Sequence, residues 1–157
     1  MKLRRDCSGL ESIPLKLLIV ATVASLSVVP ASEALDGLRA RDFIRRAELQ
    51  LETIVLTAQT VGIEGPGSAR TLNLDFSGGG SIRFASLTIG DHDGGPNMSS
   101  VVLRFTNSAS TVRSASDPPV WMAGLDGEGL MVFTPSVKLA MSCVIENRTS
   151  YILLELL

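Results

Sequence analysis

Apolar and polar positions divide the chain into three regimes. Leu17 to Val29 (LLIVATVASLSVV) contains no charged residue. From Leu35 to Val61 the apolar positions Leu35, Leu38, Phe43, Ile44, Ala47, Leu51, Ile54, Val55, Ala58 and Val61 recur mostly at spacings of three and four. That spacing defines one face of an amphipathic helix. Arg39, Arg41, Asp42, Arg45, Arg46, Glu48, Gln50 and Glu52 lie mostly elsewhere on it. Gly62, then Gly65-Pro66-Gly67, stop it. With Pro30 acting only as a kink, the two regimes join into one helix from near Ser12 to Val61, about 75 Å long at 1.5 Å per residue. Ser12 is its N-cap, and Pro14 is tolerated in the first turn. A helix of that length cannot bury itself in a domain of this size, so one half must lie in lipid or against other subunits.

After Pro66 the period becomes two. Thr71 to Phe76 alternates, with Leu72, Leu74 and Phe76 on one face. Gly78-Gly79-Gly80 reads as a turn, with Ser81 to Ile89 as the partner strand. Ser100 to Thr106 is a third strand, and Asn107 to Pro119 a polar loop. Val120 to Ala123, Leu130 to Thr134, Val137 to Ile145 and Thr149 to Leu156 follow as strands, the last two joined as a hairpin by Glu146-Asn147-Arg148. The expected fold is α+β: a long N-terminal helix, apolar then amphipathic, packed on a small antiparallel β-sheet domain.

Composition sharpens this. Over 157 residues, apolar side chains make up 45% and aromatics only 4%, so the apolar content is Leu, Val, Ile and Ala. The mean hydropathy of +0.31 is high for a water-soluble domain of this size. The net charge is -2 with both signs interspersed. No stretch clusters Lys and Arg as a phosphate backbone requires, which argues against a nucleic-acid partner. Cys7 and Cys143 form no C-x-x-C spacing, and Cys143 reads as a buried inert thiol on a strand.

The amino end carries Lys2, Arg4 and Arg5 ahead of the apolar run, the layout of an export signal. Extended back to Leu10, the run reaches a spanning length of about 20 residues, with Lys16 snorkelling to the interface. Lys2, Arg4, Arg5 and Lys16 hold the amino end in the cytoplasm. Arg39, Arg41, Arg45 and Arg46 oppose that orientation, but the basic head is closer to the span. An ordinary signal peptidase has small-residue sites after Ala31 (Val29-Pro30-Ala31) and Ala34 (Ser32-Glu33-Ala34). The alternative cut is at Gly9/Leu10, where the chain reads R-R-D-C-S-G-L-E-S-I-P-L-K-L-L-I-V.

That leader, the Gly, the nearby Glu and the apolar run continuing into a helical pattern resemble the class III signal of archaeal type IV pilin-like proteins. In that family the leader is removed on the cytoplasmic side, and the apolar helix stays in the mature subunit. Its distal half packs on a β-sheet. Pro30 falls where several pilins have a kink-forming proline. The chain departs from the family five residues after the cut, where Pro14 replaces the family's glutamate; Glu11 is second.

The resemblance implies residues 1–9 as a basic leader, 10–31 as the transmembrane or filament-core segment, 32–64 as the amphipathic helix and 65–157 as an extracytoplasmic β-rich domain. It implies as partners membrane lipid, a prepilin-type peptidase, and the chain itself or related pilin-like subunits through the N-terminal helix. It implies no cofactor.

Candidate chemistry is sparse. His92, the single histidine, sits between Asp91 and Asp93 and precedes Gly94-Gly95-Pro96-Asn97. Asp91, Asp93 and Asn97 are oxygen donors, so a cation loop is the sharp reading. The run lacks EF-hand spacing and a closing Glu, and an acidic solvated turn is the plainer one. No Ser stands in G-x-S-x-G, so no hydrolase signature is present. Neither glycine cluster carries the Walker lysine. Asn97-Met98-Ser99 and Asn147-Arg148-Thr149 satisfy the N-glycosylation triplet, which makes Asn97 and Asn147 candidate sites. Trp121, beside Pro118-Pro119, is either a binding edge or core, and a lone Trp in a strand favours core.

Two functions follow as expectations. One is a structural, non-enzymatic, membrane-anchored subunit of a cell-surface filament or of a secretion or adhesion assembly. The other is an exported or tethered β-domain that binds a ligand through its loops.

Overall fold

A computed structural model describes residues 8–146 and 148–157. Lys2, Arg4, Arg5, Cys7 and Asn147 therefore lie outside the described residues. The chain forms two compact units, Met1–Leu38 and Arg39–Leu157, and the helix α1 (Ser8–Glu64) contributes to both. The fold is α+β, with a long N-terminal helix packed on antiparallel and mixed sheets.

α1 begins earlier than expected, at Ser8, so Ser12 lies inside it and is not an N-cap. It is helical through Pro14 and Pro30. It also ends later, at Glu64, because Gly62 is accommodated within the helix beside the Val120 side chain. The stop is Gly65, whose φ of 86° is the left-handed C-cap conformation and whose N–H donates to Val61 O at 3.1 Å.

In the unit Arg39–Leu157 the helix buries Ala40, Phe43, Ala47, Leu51, Ile54, Val55, Ala58 and Val61. Leu35 and Leu38, expected on the same face, are exposed instead. Both belong to the unit Met1–Leu38, ahead of the stretch of α1 that contributes to the core.

Eight strands follow: β1 (Ala69–Asp75), β2 (Phe84–Ile89), β3 (Ser100–Phe105), β4 (Ser110–Ser114), β5 (Met122–Gly124), β6 (Leu130–Val132), β7 (Ser136–Glu146) and β8 (Thr149–Leu156). They form two four-stranded sheets, β1-β7-β8-β5 and β4-β3-β2-β6. The β7–β8 hairpin is as expected, running from Leu139↔Leu156 to Glu146↔Thr149.

Three expectations fail. β1 does not pair with β2 across Gly78–Gly80; it pairs with β7, and the glycines carry the chain from one sheet to the other. The first sheet is mixed, since β5 runs parallel to β8. The polar loop contains β4, which pairs with β3 through its backbone although only Val112 is partly buried.

The inner faces of both sheets and the core face of α1 share one hydrophobic core, including Leu74, Leu87, Ile89, Val101, Leu103, Leu139, Met141, Cys143, Ile152 and Leu154. Phe43, Leu51 and Ile54 each contribute roughly 1.5–3 kcal/mol by leaving water. Phe43 also meets Phe105 edge-on, with centroids 5.8 Å apart. Gly79 is what allows this crossing. At its φ of 110°, a Cβ would meet Ile82 O at 2.0 Å and Phe43 Cδ1 at 2.7 Å.

Segment 121–124 stitches the two sheets. Trp121 O accepts from Ile152 N at 2.8 Å on one side, while Met122 bonds to Asp91 N (3.3 Å) and Met98 O (2.8 Å) on the other.

Candidate functional site

The unit Met1–Leu38 presents, among its described residues, one element: the amino-terminal part of α1. Leu15, Leu17, Leu18, Ile19, Val20, Val23, Leu26 and Val28 are all between 52% and 71% exposed. Left in water they forgo on the order of 10 kcal/mol of burial, comparable with the whole stability of a small domain. The helix is long and apolar enough to cross a membrane, with a mean hydropathy of 1.8 over its most apolar 18-residue window. Two hydroxyls in this stretch bond internally. Thr22 Oγ1 donates to Leu18 O and Ser25 Oγ to Ala21 O, both at 2.7 Å. A hydroxyl bonded to its own helix costs little in hydrocarbon. Gly9 and Leu10 fall in the first turn of α1, and Lys16 is exposed.

The His92 loop is built as a self-bonded turn, the plainer of its two readings, and not as a cation loop of Asp91, Asp93 and Asn97. Asp91 Oδ1 accepts from His92 N at 2.9 Å and contacts His92 Nδ1 at 2.8 Å. Asp91 Oδ2 accepts from Asn97 N at 3.4 Å, so Asn97 contributes its backbone. Asp91 is held below the usual carboxylate range, first by the His92 backbone N–H and also by the His92 side chain and the Asn97 N–H. Asp93 does not join the cluster that forms among the described residues, which is Asp91, His92 and Glu128. Glu128 approaches His92 Nδ1 at 3.9 Å. Sequence reading could not find Glu128, which lies on the β5–β6 turn and comes near only through the fold. Asp91's carboxylate is thus engaged in holding its own turn, and Trp121 Nε1 donates to Asp91 O at 2.9 Å, fixing the loop from behind.

Of the glycosylation candidates, Asn97 is exposed. Its triplet partner Ser99 is less accessible: Oγ is buried without a hydrogen-bond partner, and Ser99 O accepts from Ala115 N at 2.7 Å.

Two of the clefts on the β domain are lined by more than one aromatic ring. Near one end of the sheets Phe76 and Phe84 stack with centroids 5.5 Å apart, and a cleft of about 480 Å³ runs past them to Arg83 and Phe133, which is 68% exposed. A smaller cleft of about 190 Å³ is lined by Trp121, Tyr151 and Pro118-Pro119. Trp121 is only half-buried, not core, and its ring centroid lies 4.5 Å from that of Tyr151. Tyr151 OH donates to Glu146 Oε2 at 3.1 Å. Burial pushes the Tyr151 phenol pKa up, and the Glu146 carboxylate pushes it further.

No family model, curated protein or solved structure matches this chain.

Proposed function

We propose that the chain is a membrane-anchored, non-enzymatic pilin-like subunit of a cell-surface filament or of a secretion or adhesion assembly. The apolar part of α1 is the anchor, and the β domain lies outside the cytoplasm. The observation that carries this reading is the row of exposed apolar side chains between Leu15 and Val28, on a helix that satisfies the Thr22 and Ser25 hydroxyls internally. Such a surface is stable only under lipid or against like helices. Support also comes from α1 itself, which runs as one element from Ser8 to a core-forming stretch, as in subunits that retain the apolar segment. Lipid, a prepilin-type peptidase and other pilin-like subunits are the partners this reading requires.

Determining the mature amino terminus tests it. Leu10 is the expected result, and substituting Gly9 by a bulky residue should block processing. A mature chain starting at Ser32 or Leu35 lacks the anchor and overturns the proposal.

A second reading is favoured by the aromatic cleft at Phe84 and Phe133: a tethered or released β-domain that binds a ligand through its loops. It predicts that Phe133→Ala abolishes ligand binding whichever terminus is found.

A further inference from the structure

We infer that the outward face of α1 within the β-bearing unit is a self-association seam, joining two copies of this chain as a short parallel two-stranded coiled coil. The seam consists of Leu49, Thr53, Leu56, Thr60 and Ile63. All five are exposed, Leu49 and Leu56 at 55% and Ile63 at 72%. Their spacing is four, three, four, three, the heptad alternation of core positions in a coiled coil. At 100° per residue the stripe is centred on the side of the helix opposite its buried face. Burial of the first face in the β domain therefore leaves the second free.

The two threonines would ordinarily weaken such a stripe. Here Thr53 Oγ1 donates to Leu49 O and Thr60 Oγ1 to Leu56 O, each at 2.8 Å. With the hydroxyls turned back onto the helix, both residues offer methyl groups outward. The flanks are drawn away from the stripe. Gln50 on one side bonds to the Asp75 backbone, and Gln59 on the other donates to Asp117 O at 3.1 Å. Toward the amino end the heptad register continues into Asp42 and Arg46, an ion pair at 3.1 Å, so the apolar seam starts at Leu49.

The occupant is a second copy for three reasons. A four-three stripe packs knobs-into-holes against a helix of the same period, and a second copy's α1 is such a helix with the same stripe. Copies held in a membrane by the same anchor carry the same residues at the same height, so Leu49 meets Leu49 and Leu56 meets Leu56; this parallel sense rests on the anchored reading above. The spacing puts Thr53 and Thr60 at a positions and Leu49 and Leu56 at d positions, and β-branched residues at a with Leu at d favour two strands. Across the parallel seam Glu52 stands opposite Thr57 and Gln59 opposite Glu64, so no like charges meet. Two heptads, about 22 Å of helix, make a weak contact in dilute solution and an effective one between tethered copies.

The test uses the full chain in lipid vesicles, in a Cys7→Ser background, with buried Cys143 left in place. Single cysteines Leu49→Cys, Leu56→Cys and Ile63→Cys are compared on mild oxidation with Glu48→Cys and Arg104→Cys. The three seam positions are expected to give about tenfold more disulfide-linked dimer than the two controls, because only they bring Cα atoms within disulfide reach. Adding Leu56→Glu to the Leu49→Cys chain should reduce its dimer to the control level while thermal unfolding of the β domain is unchanged. Equal oxidation at all five positions, or none at the seam in vesicle-bound chain, overturns the proposal. Linkage of Leu49→Cys to Ile63→Cys in mixed samples overturns the parallel sense. Sedimentation with the vesicles is scored separately: chain left in the supernatant overturns the anchored reading and the parallel sense with it.

Discussion

Gln50 on α1 and Asp75 at the end of β1 are joined by a pair of hydrogen bonds that imitates a strand. Gln50 Nε2 donates to Asp75 O at 2.6 Å, and Asp75 N–H donates to Gln50 Oε1 at 2.7 Å. β1 is an edge strand whose other side pairs with β7, so Asp75 directs its backbone groups outward. An edge with free N–H and C=O groups invites pairing with another chain. One side-chain amide from the helix closes that position and ties the helix to the sheet.

Gln50→Ala removes both bonds and leaves the Asp75 backbone to water. The full chain should lose about 1–2 kcal/mol of β-domain stability, measured by denaturant unfolding in detergent. An unchanged midpoint would show that the pair contributes nothing.

Phe43 and Leu35 separate the two units. Phe43 is 2% exposed, whereas Leu35 is 53% exposed. Phe43→Ala is expected to cost about 3–5 kcal/mol, and Leu35→Ala less than about 0.5 kcal/mol, in β-domain unfolding followed by circular dichroism.

A charge within the apolar row should prevent anchoring. Val20 is 65% exposed in the middle of it. Val20→Arg adds roughly 2.5–3.5 kcal/mol to the cost of insertion, so the membrane-bound fraction in a flotation assay should fall sharply. Thr22→Val, which removes only an internally bonded hydroxyl, should leave it unaltered.

Acid should weaken the β domain through Asp75. Its carboxyl is held below the ordinary value of 3.8, first by the Ser77 side chain, then by the Ser77 backbone and by Ser136. A depressed folded pKa means the contribution is complete above the unfolded value and disappears as pH falls through the folded one. The loss therefore lies below pH 3.8, and Asp75→Asn should flatten that limb of a stability–pH curve.

Tyr151 is the single tyrosine, so its ionisation is readable by ultraviolet absorbance. Burial and then Glu146 raise its pKa above the ordinary 10.0. A raised folded pKa gives stability that is complete below the unfolded value and lost as pH rises through the folded one. Phenolate absorbance should appear above pH 10.0 in the folded chain, and Glu146→Gln should shift it part of the way back.

Periodicity located most of the elements but not their partners. Val137 to Ile145 and Thr149 to Leu156 were legible because alternation and a short turn leave one pairing open. β4 was not legible, because Ser110–Ser114 buries almost nothing and is held by backbone bonds to β3 that leave no apolar signature. The Gly78–Gly80 turn misled for a related reason: glycines mark where the chain bends, not which sheet it enters. At the His92 loop the sequence displays three donors in a row, Asp91, His92 and Asp93, yet Asp93 stays out of the cluster and Glu128 enters it from another turn.

By itself, the sequence determined what local periodicity and hydropathy can encode: an apolar helical segment, an amphipathic continuation and a β-rich remainder. Tertiary structure alone decided which strands pair, that the sheet is two sheets sharing one core with α1, and that the core stripe begins at Ala40. It also decided that Leu49, Leu56 and Ile63 face outward together. The reason is physical. A side chain's preference for water or apolar surroundings is fixed along the chain, whereas strand pairing and the choice between two apolar helix faces depend on contacts between residues far apart in sequence.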